Sequence, residues 1–194
     1  MKTNNALSIA GITIILLLAF SGSLMAQASA PKNLVHFGGT FNIPMGVEDA
    51  DNPSFGGNIF AGKMFTRNIC VGLKAGFDII SMQKTPNNFY KYLGVIPFAL
   101  QVKYLYNYSR MFKIYGAASA GVYRTQVHLG GLKVGSVNSS ANCPGGSVSV
   151  GVDYWFLLTN GVGAELEYNM FKVPEDGDFN GYLTIKVNYC NISF

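Results

Sequence analysis

The two histidines, His36 and His128, are the first candidates for catalysis in this chain. An imidazole at neutral pH can act as a general base on a nearby serine, threonine or cysteine. His128 is followed by Leu129 and Gly130, and neither of these residues can act as a nucleophile. His36 stands in an alternating segment, where a hydrogen-bonded structural histidine is expected. We therefore predict no catalytic residues, no cofactor and no enzymatic activity.

Acidic side chains form a second group of candidate functional residues. Six of the ten acids stand in two segments rich in Pro, Gly and Asn: Glu48, Asp49, Asp51, Glu175, Asp176 and Asp178. Grouped carboxylates can hold a divalent cation or a basic partner. Their spacing matches no complete calcium-loop motif, so the identity of any metal stays open. The alternative is a rim of solvated acids with no ligand.

Charges of both signs also stand on the polar faces of alternating segments. They are Lys74, Asp78, Lys91, Lys103, Lys113, Asp153, Glu165, Glu167 and Lys186. If these faces line the inside of one closed sheet, the charges form a compensated network in its lumen. Counting across the connections predicts Asp78 opposite Lys91, and Glu167 opposite Lys186. The three cysteines, Cys70, Cys143 and Cys190, are too few and too scattered for a disulfide framework and read as buried small residues.

From Leu34 onward, the segments that carry these charges alternate between apolar and polar residues. This period of two is typical of β-strands. Most segments are close to the 9 to 11 residues that a tilted membrane strand needs. Glycines at 56, 57 and 62 blur the two faces of the second segment. The eight predicted strands lie within residues 34–43, 55–65, 69–79, 90–106, 112–123, 147–156, 162–170 and 183–189.

The connections between these strands alternate in length. Residues 66–68, 107–110 and 157–160 are tight turns, whereas residues 44–53, 81–88, 130–142 and 172–180 are longer. This alternation predicts an all-β fold, an eight-stranded antiparallel up-and-down transmembrane β-barrel, with turns at one end and loops at the other.

The apolar face is predicted to contact lipid. Tyrosines stand at both ends of that face on the fourth strand: Tyr90, Tyr92, Tyr104 and Tyr106. Tyrosine is favoured at the two interfaces of a membrane, and eight closed strands satisfy every backbone group in lipid. A soluble ligand-binding barrel is the alternative for the same alternation.

Composition agrees with one exported domain. The chain has 194 residues, of which only 12% are charged, and the net charge of +4 is spread without any Lys/Arg run, so nucleic acid is not expected as a partner. Lys2, the apolar residues 11–20 and the small residues that follow predict a signal peptide over residues 1–28, with the barrel domain over residues 29–194. Cleavage is expected after Ala28, and Ala26 and Ala30 are the alternatives.

These features together resemble the eight-stranded outer-membrane β-barrel domain family, the OmpA/OmpX/OmpW-like group without a further domain. The most specific one is the terminal strand, residues 182–194, which ends in Phe194. Ile192 and Phe194 stand on the opposite parity to Leu183 and Tyr189, so a bulge near residues 190–191 is expected if all four face lipid.

The resemblance implies an outer-membrane location, contact with outer-membrane lipids and lipopolysaccharide, and insertion by the barrel-assembly machinery. We expect a structural or surface-interaction role through the extracellular loops, with a lumen occluded by side chains. A narrow porin or transporter of small molecules is the alternative, and a soluble lipid-binding barrel is the third possibility. The sequence does not specify the extracellular partner.

Overall fold

The computed structural model describes residues 33–45, 53–84, 90–107, 109, 111–130, 136–172 and 179–193. It contains eight strands, as predicted. They are β1 (Asn33–Pro44), β2 (Ser54–Met64), β3 (Ile69–Lys84), β4 (Tyr90–Asn107), β5 (Phe112–Gly130), β6 (Ser136–Trp155), β7 (Asn160–Lys172) and β8 (Phe179–Ser193). Strand β6 begins much earlier than the sequence predicts, so most of the expected loop at 130–142 is strand. In this part of the chain no helix is long and apolar enough to cross a membrane.

Every strand pairs antiparallel with the next one, and β8 pairs with β1, so the sheet closes into a barrel. Closure leaves no free sheet edge, which is what a sheet in a bilayer requires because lipid offers no hydrogen bonds to backbone groups. The predicted fold class is confirmed.

The outer surface is apolar along all eight strands. Outward side chains such as Phe98, Val150 and Val187 are 57–67% exposed. Tyr104 and Tyr106 stand on the outer face at the turn end of β4, where an interfacial tyrosine belongs. The side chains of Tyr90 and Tyr92 lie outside the described residues.

Side-chain caps explain why two of the turns are tight. Thr66 Oγ1 accepts hydrogen bonds from the backbone N–H groups of Asn68 and Ile69, at 3.2 and 3.0 Å. Ser109 Oγ does the same for Met111 and Phe112. Such hydroxyl-capped turns reverse the chain in a few residues and so fix the register of the strands they join.

The interior is layered along the barrel axis. A turn-end cluster of apolar side chains comprises Leu34, Phe60, Cys70, Leu105, Tyr115, Trp155, Cys190 and Ile192. A loop-end cluster comprises Ile80, Leu93, Val95, Tyr123, Cys143, Phe171 and Tyr182. Buried charged side chains such as Lys74, Glu167 and Lys186 lie between the two clusters, whereas His36 and Asp153 lie beside the turn-end cluster. All three cysteines are buried free thiols.

The bulge that would turn Ile192 toward lipid is absent from the described part of β8. Strand β8 pairs with β1 without a register shift from Tyr182 to Ser193, so Ile192 keeps inward parity. Its side chain packs in the turn-end cluster at 7% exposure instead of facing lipid. The condition for a lipid-facing Ile192 is therefore not met, and this inward apolar residue is stabilised by the cluster that it closes. Phe194 lies outside the described residues.

This inward position predicts a large cost for truncating Ile192. Ile192→Ala leaves a cavity in a packed cluster and should lower the free energy of unfolding by about 2–5 kcal/mol. Ile185→Ala is the matched control, because Ile185 faces outward on the same strand and lipid fills the space that it vacates. Urea unfolding in lipid vesicles measures both, and equal costs would mean that Ile192 faces lipid.

Candidate functional site

A chain of ion pairs crosses the middle of the lumen; its five charged members, Lys74, Lys103, Glu165, Glu167 and Lys186, are called here the central layer. Lys74 on β3 reaches across the barrel to Glu167 on β7, with Nζ 2.5 Å from Oε1. Its ammonium also donates to Ser147 Oγ at 3.2 Å and Asn169 Oδ1 at 3.1 Å. These three acceptors use all the donors of the ammonium group.

Lys186 links the two glutamates of the central layer. Its Nζ lies 3.1 Å from Glu165 Oε1 and 2.5 Å from Glu167 Oε2. Glu165 in turn accepts from Lys103 Nζ at 3.3 Å and from the Tyr115 hydroxyl at 2.7 Å. Three cations and two anions therefore alternate as Lys103, Glu165, Lys186, Glu167 and Lys74. All five are at most 4% exposed, so each charge depends on its neighbours.

Asp78 is held separately at the loop side of the central layer. Its Oδ1 accepts hydrogen bonds from Thr40 Oγ1 at 2.8 Å and Asn42 Nδ2 at 3.0 Å, and its Oδ2 accepts from the Tyr182 hydroxyl at 2.9 Å. Neutral donors thus satisfy this carboxylate.

The predicted pairing of Asp78 with Lys91 was wrong. Asp78 lies opposite Val95, because β3 continues to Lys84 and its register against β4 shifts only between Ser81 and Lys84. The side chain of Lys91 lies outside the described residues.

The predicted strand register, with Glu167 directly opposite Lys186, was also wrong. Lys186 lies opposite Glu165, and Glu167 lies opposite Thr184. The ion pair between Lys186 and Glu167 is nevertheless present, because the long lysine side chain reaches diagonally along the narrow lumen to the next inward residue of β7.

The remaining predicted site residues are dispersed. Asp153 is buried at the turn end, beside His36. Lys113 is half-buried there, with its ammonium 4.5 Å from the centre of the Trp155 ring. The six loop acids, Glu48, Asp49, Asp51, Glu175, Asp176 and Asp178, lie outside the described residues. The side chain of His128 does too.

Several polar residues of the lumen were not among the predicted site residues. Ser147, Asn169 and Tyr115 complete the hydrogen bonding of the central layer, and Tyr182 completes that of Asp78. Their inward parity was visible for Ser147, Asn169 and Tyr115. Tyr182 stands before the alternating part of β8, and nothing in its surroundings distinguished it from an interfacial tyrosine.

Tyr182 offers a direct test of the Asp78 site. Tyr182→Phe removes one hydrogen bond to a buried carboxylate and keeps the ring in the loop-end cluster. We expect the free energy of unfolding to fall by about 1.5–3 kcal/mol. Tyr104→Phe, on the outer face, should change it by less than about 0.5 kcal/mol. A similar small change for Tyr182→Phe would show that its hydroxyl does not hold Asp78.

This arrangement can fill and brace the barrel. Its charges are paired, its amide and hydroxyl partners are buried, and an apolar cluster closes it at each end. In a medium that screens charge weakly, such pairs are costly to separate. The described side chains are therefore suited to filling the lumen.

Comparison with known proteins gives the same architecture. The family model described as "Outer membrane protein beta-barrel domain" matches residues 13–190. No curated protein sequence matches this chain.

Solved structures share the fold at low sequence identity. A major outer membrane protein from Thermus thermophilus is 11% identical, with a TM-score of 0.59 over 85% of this chain and 100% of that one. OprG from Pseudomonas aeruginosa is 14% identical, with a TM-score of 0.57 over 84% and 96%. Ail, the attachment invasion locus protein of Yersinia pestis, is 11% identical, with a TM-score of 0.55 over 84% and 99%. The chain thus belongs to the outer membrane protein β-barrel domain family, whose strands cross the bacterial outer membrane.

Proposed function

We propose that this protein is a closed outer-membrane barrel with a structural or surface-interaction role, exercised through its extracellular loops and not through its lumen. The observation that carries the proposal is the central layer. Lys74 and Glu167 stand on strands at opposite sides of the barrel, and Lys74 Nζ lies 2.5 Å from Glu167 Oε1. The two side chains together therefore span the lumen. A path for water or solute through this level would have to separate that pair.

Separating the pair is unfavourable because both partners are buried. Removing a buried charge from its partner typically costs about 3–5 kcal/mol. An eight-stranded barrel also has an interior only wide enough for its own side chains, or for one small ligand. A narrow transporter, the alternative function, needs an open path, and the layered interior supports the closed barrel instead.

The loops are then the place for an external partner. The tight turns carry or adjoin the basic residues Lys63, Arg67 and Arg110, whereas six of the ten acids stand in two of the long loops. Barrels of this class keep short turns in the periplasm and long loops outside. We propose the same orientation here, with an acidic outer rim that binds a basic surface directly or through a bridging divalent cation.

The acidic loops favour a different kind of ligand from the one bound by a structural neighbour, Ail. Ail was crystallised with the heparin analogue sucrose octasulfate, which is a polyanion. Two acidic loops repel a polyanion, so the partner proposed here has the opposite charge.

Export follows from the sequence features at the amino terminus. We propose that residues 1–28 are a signal peptide cleaved after Ala28, that the barrel-assembly machinery inserts the barrel, and that outer-membrane lipids and lipopolysaccharide surround it. A mature protein that begins at residue 29 by mass spectrometry of the outer-membrane fraction would support this cleavage site.

The surface role is tested by neutralising the acidic rim. The acids at 48, 49, 51, 175, 176 and 178 are changed to Asn or Gln, and the control variant carries Lys63→Gln and Arg67→Gln on the opposite end. Binding of whole cells to polylysine-coated beads, and the effect of calcium on thermal unfolding, are measured for both. The loop variant should lose bead binding or the calcium effect, and the control should keep both. If the loop variant keeps both, the rim is merely solvated and the proposed site is wrong.

Orientation has its own test. An epitope inserted within residues 172–180 should bind antibody on intact cells, whereas one within residues 107–110 should bind only after the outer membrane is permeabilised. The reverse result would overturn the surface role of the acidic loops.

A further inference from the structure

A compact set of three metal-ligating side chains lies in the turn-end part of the lumen. His36 comes from β1, Asp153 from β6 and Cys190 from β8, and one ligand atom of each lies within 4.8 Å of the others. His36 Nε2 is 3.4 Å from Asp153 Oδ2, and Cys190 Sγ is 3.4 Å from Asp153 Oδ1. All three residues are at most 1% exposed. Three elements far apart in the sequence thus bring nitrogen, oxygen and sulfur ligands together.

Two of these ligand atoms have unmet hydrogen-bonding capacity. His36 Nε2 and Asp153 Oδ2 are buried and have no hydrogen-bond partner in the part of the chain that the structure describes. A buried polar atom without a partner typically costs about 1–3 kcal/mol. The two atoms lie 3.4 Å apart, so one bound group can satisfy both.

A glycine makes the approach of the other ligands possible. Gly163 faces inward on β7, between the strands that carry Asp153 and Cys190. A Cβ atom at this position would overlap Asp153 Oδ1 and lie 3.2 Å from Cys190 Sγ. The absent side chain is therefore what allows the carboxylate and the thiol to converge.

We propose that His36, Asp153 and Cys190 bind one zinc ion. Zinc accepts imidazole nitrogen, carboxylate oxygen and thiolate sulfur, usually in a tetrahedron. Bond lengths of about 2.0–2.3 Å place tetrahedral ligand atoms about 3.3–3.7 Å apart. His36 Nε2 and Cys190 Sγ each lie 3.4 Å from Asp153, the first from Oδ2 and the second from Oδ1, and one ligand atom of each residue lies within 4.8 Å of the others. Side-chain rotations must therefore bring the three ligands together around one ion. Water or another small ligand takes the fourth position.

The charge of the site suits a divalent cation. When zinc binds during folding, the Cys190 thiol releases its proton to solvent before the site is sealed, and the thiolate and the Asp153 carboxylate together balance the two charges of zinc. Lys103 opposes binding, because its ammonium lies 3.2 Å from His36 Nδ1. That ammonium also contacts Glu165 at 3.3 Å and the faces of Phe60 and Tyr115 at 4.7 and 4.4 Å, so it keeps partners after leaving His36.

The test supplies zinc while the barrel folds, because the ligands are sealed from solvent in the folded state. Urea-unfolded full chain is refolded into detergent with one equivalent of Zn²⁺, treated with a chelator and separated from unbound metal. The wild type should retain one zinc per chain. His36→Ala and Cys190→Ser should retain at least about tenfold less, since even loss of a residue that only supports a ligand costs 10–100-fold. Cys143→Ser, with its cysteine in the loop-end cluster, should behave as the wild type.

A second measurement identifies the sulfur ligand. Refolding with Co²⁺ should give a sulfur-to-cobalt charge-transfer band that Cys190→Ser abolishes and Cys143→Ser keeps. Wild-type protein that retains no metal after chelation, or a band that survives Cys190→Ser, would overturn the proposal. Heat-modifiable gel mobility confirms folding of each variant, and the wild-type zinc content decides the question even if a variant fails to fold.

Discussion

Glu167→Gln is expected to lower the free energy of unfolding by about 3–5 kcal/mol. Glu167 is the acidic partner of Lys74 and one of the two acidic partners of Lys186. The neutral amide has almost the same shape, so packing is retained, but Lys74 is left as a buried cation without a counter-charge. Urea titration of the folded fraction in lipid vesicles, read as heat-modifiable gel mobility, measures the loss.

A second substitution separates charge from packing in this prediction. Lys74→Met in the Glu167→Gln background removes the stranded cation and should recover most of the lost stability, because a buried ion pair is often replaceable by apolar side chains. Glu175→Gln, in one of the predicted long loops, is the control and, measured without added calcium, should change stability by less than about 0.5 kcal/mol. If Glu167→Gln costs no more than this control, the central layer does not stabilise the barrel.

Trp155→Ala is expected to have a comparable effect, mainly through lost packing, about 3–5 kcal/mol. Trp155 lies in the turn-end cluster at 5% exposure, and its loss leaves a cavity at that end of the lumen. Trp155→Phe should cost less, because its indole N–H has no hydrogen-bond partner in the described part of the chain and only ring volume is lost.

The neighbouring Phe156 supplies the outward control for this packing effect. Phe156 is 46% exposed just beyond β6, so Phe156→Ala leaves a space that lipid or water fills, and we expect a cost below about 1 kcal/mol. Thermal unfolding in detergent compares the three variants. Equal costs for Trp155→Ala and Phe156→Ala would contradict the inward position of Trp155.

The fold was predictable because one face of each strand contacts lipid. Segments such as residues 147–156 alternate without interruption, since a period of two is the only pattern that separates lipid from lumen on a strand. The turns at Thr66 and Ser109 are equally local, because each is capped by its own hydroxyl. The alternation of each strand and the turns between strands were therefore sufficient to predict the number of strands and the closed topology.

Register across long loops was not predictable in the same way. The sequence suggested that β3 ends near Ser81, whereas pairing continues to Lys84, and this moved the partner of Asp78 from Lys91 to Val95. Residues 81–84 and 136–142 are mostly polar and resemble loop by composition, yet they pair with the neighbouring strands.

The central layer was predictable in its members but not in its contacts. Inward parity identified Lys74 and Glu167, yet they stand on β3 and β7, which are not neighbours in the sheet. Their contact depends on the width of the lumen, which no pairing count supplies. The same holds for the cluster of His36, Asp153 and Cys190, whose members come from three strands and meet only because Gly163 leaves room.

Conductance of the purified wild-type protein in planar lipid bilayers tests the closed lumen most directly. Because the central layer and the two apolar clusters fill the lumen, we expect no steady conductance at an applied potential. A general porin, measured in the same way, is the positive control. The double variant Lys74→Ser with Glu167→Ser removes the spanning pair without stranding a charge between them, and it should show brief openings. Steady conductance of general-porin size from the wild type would contradict the closed barrel.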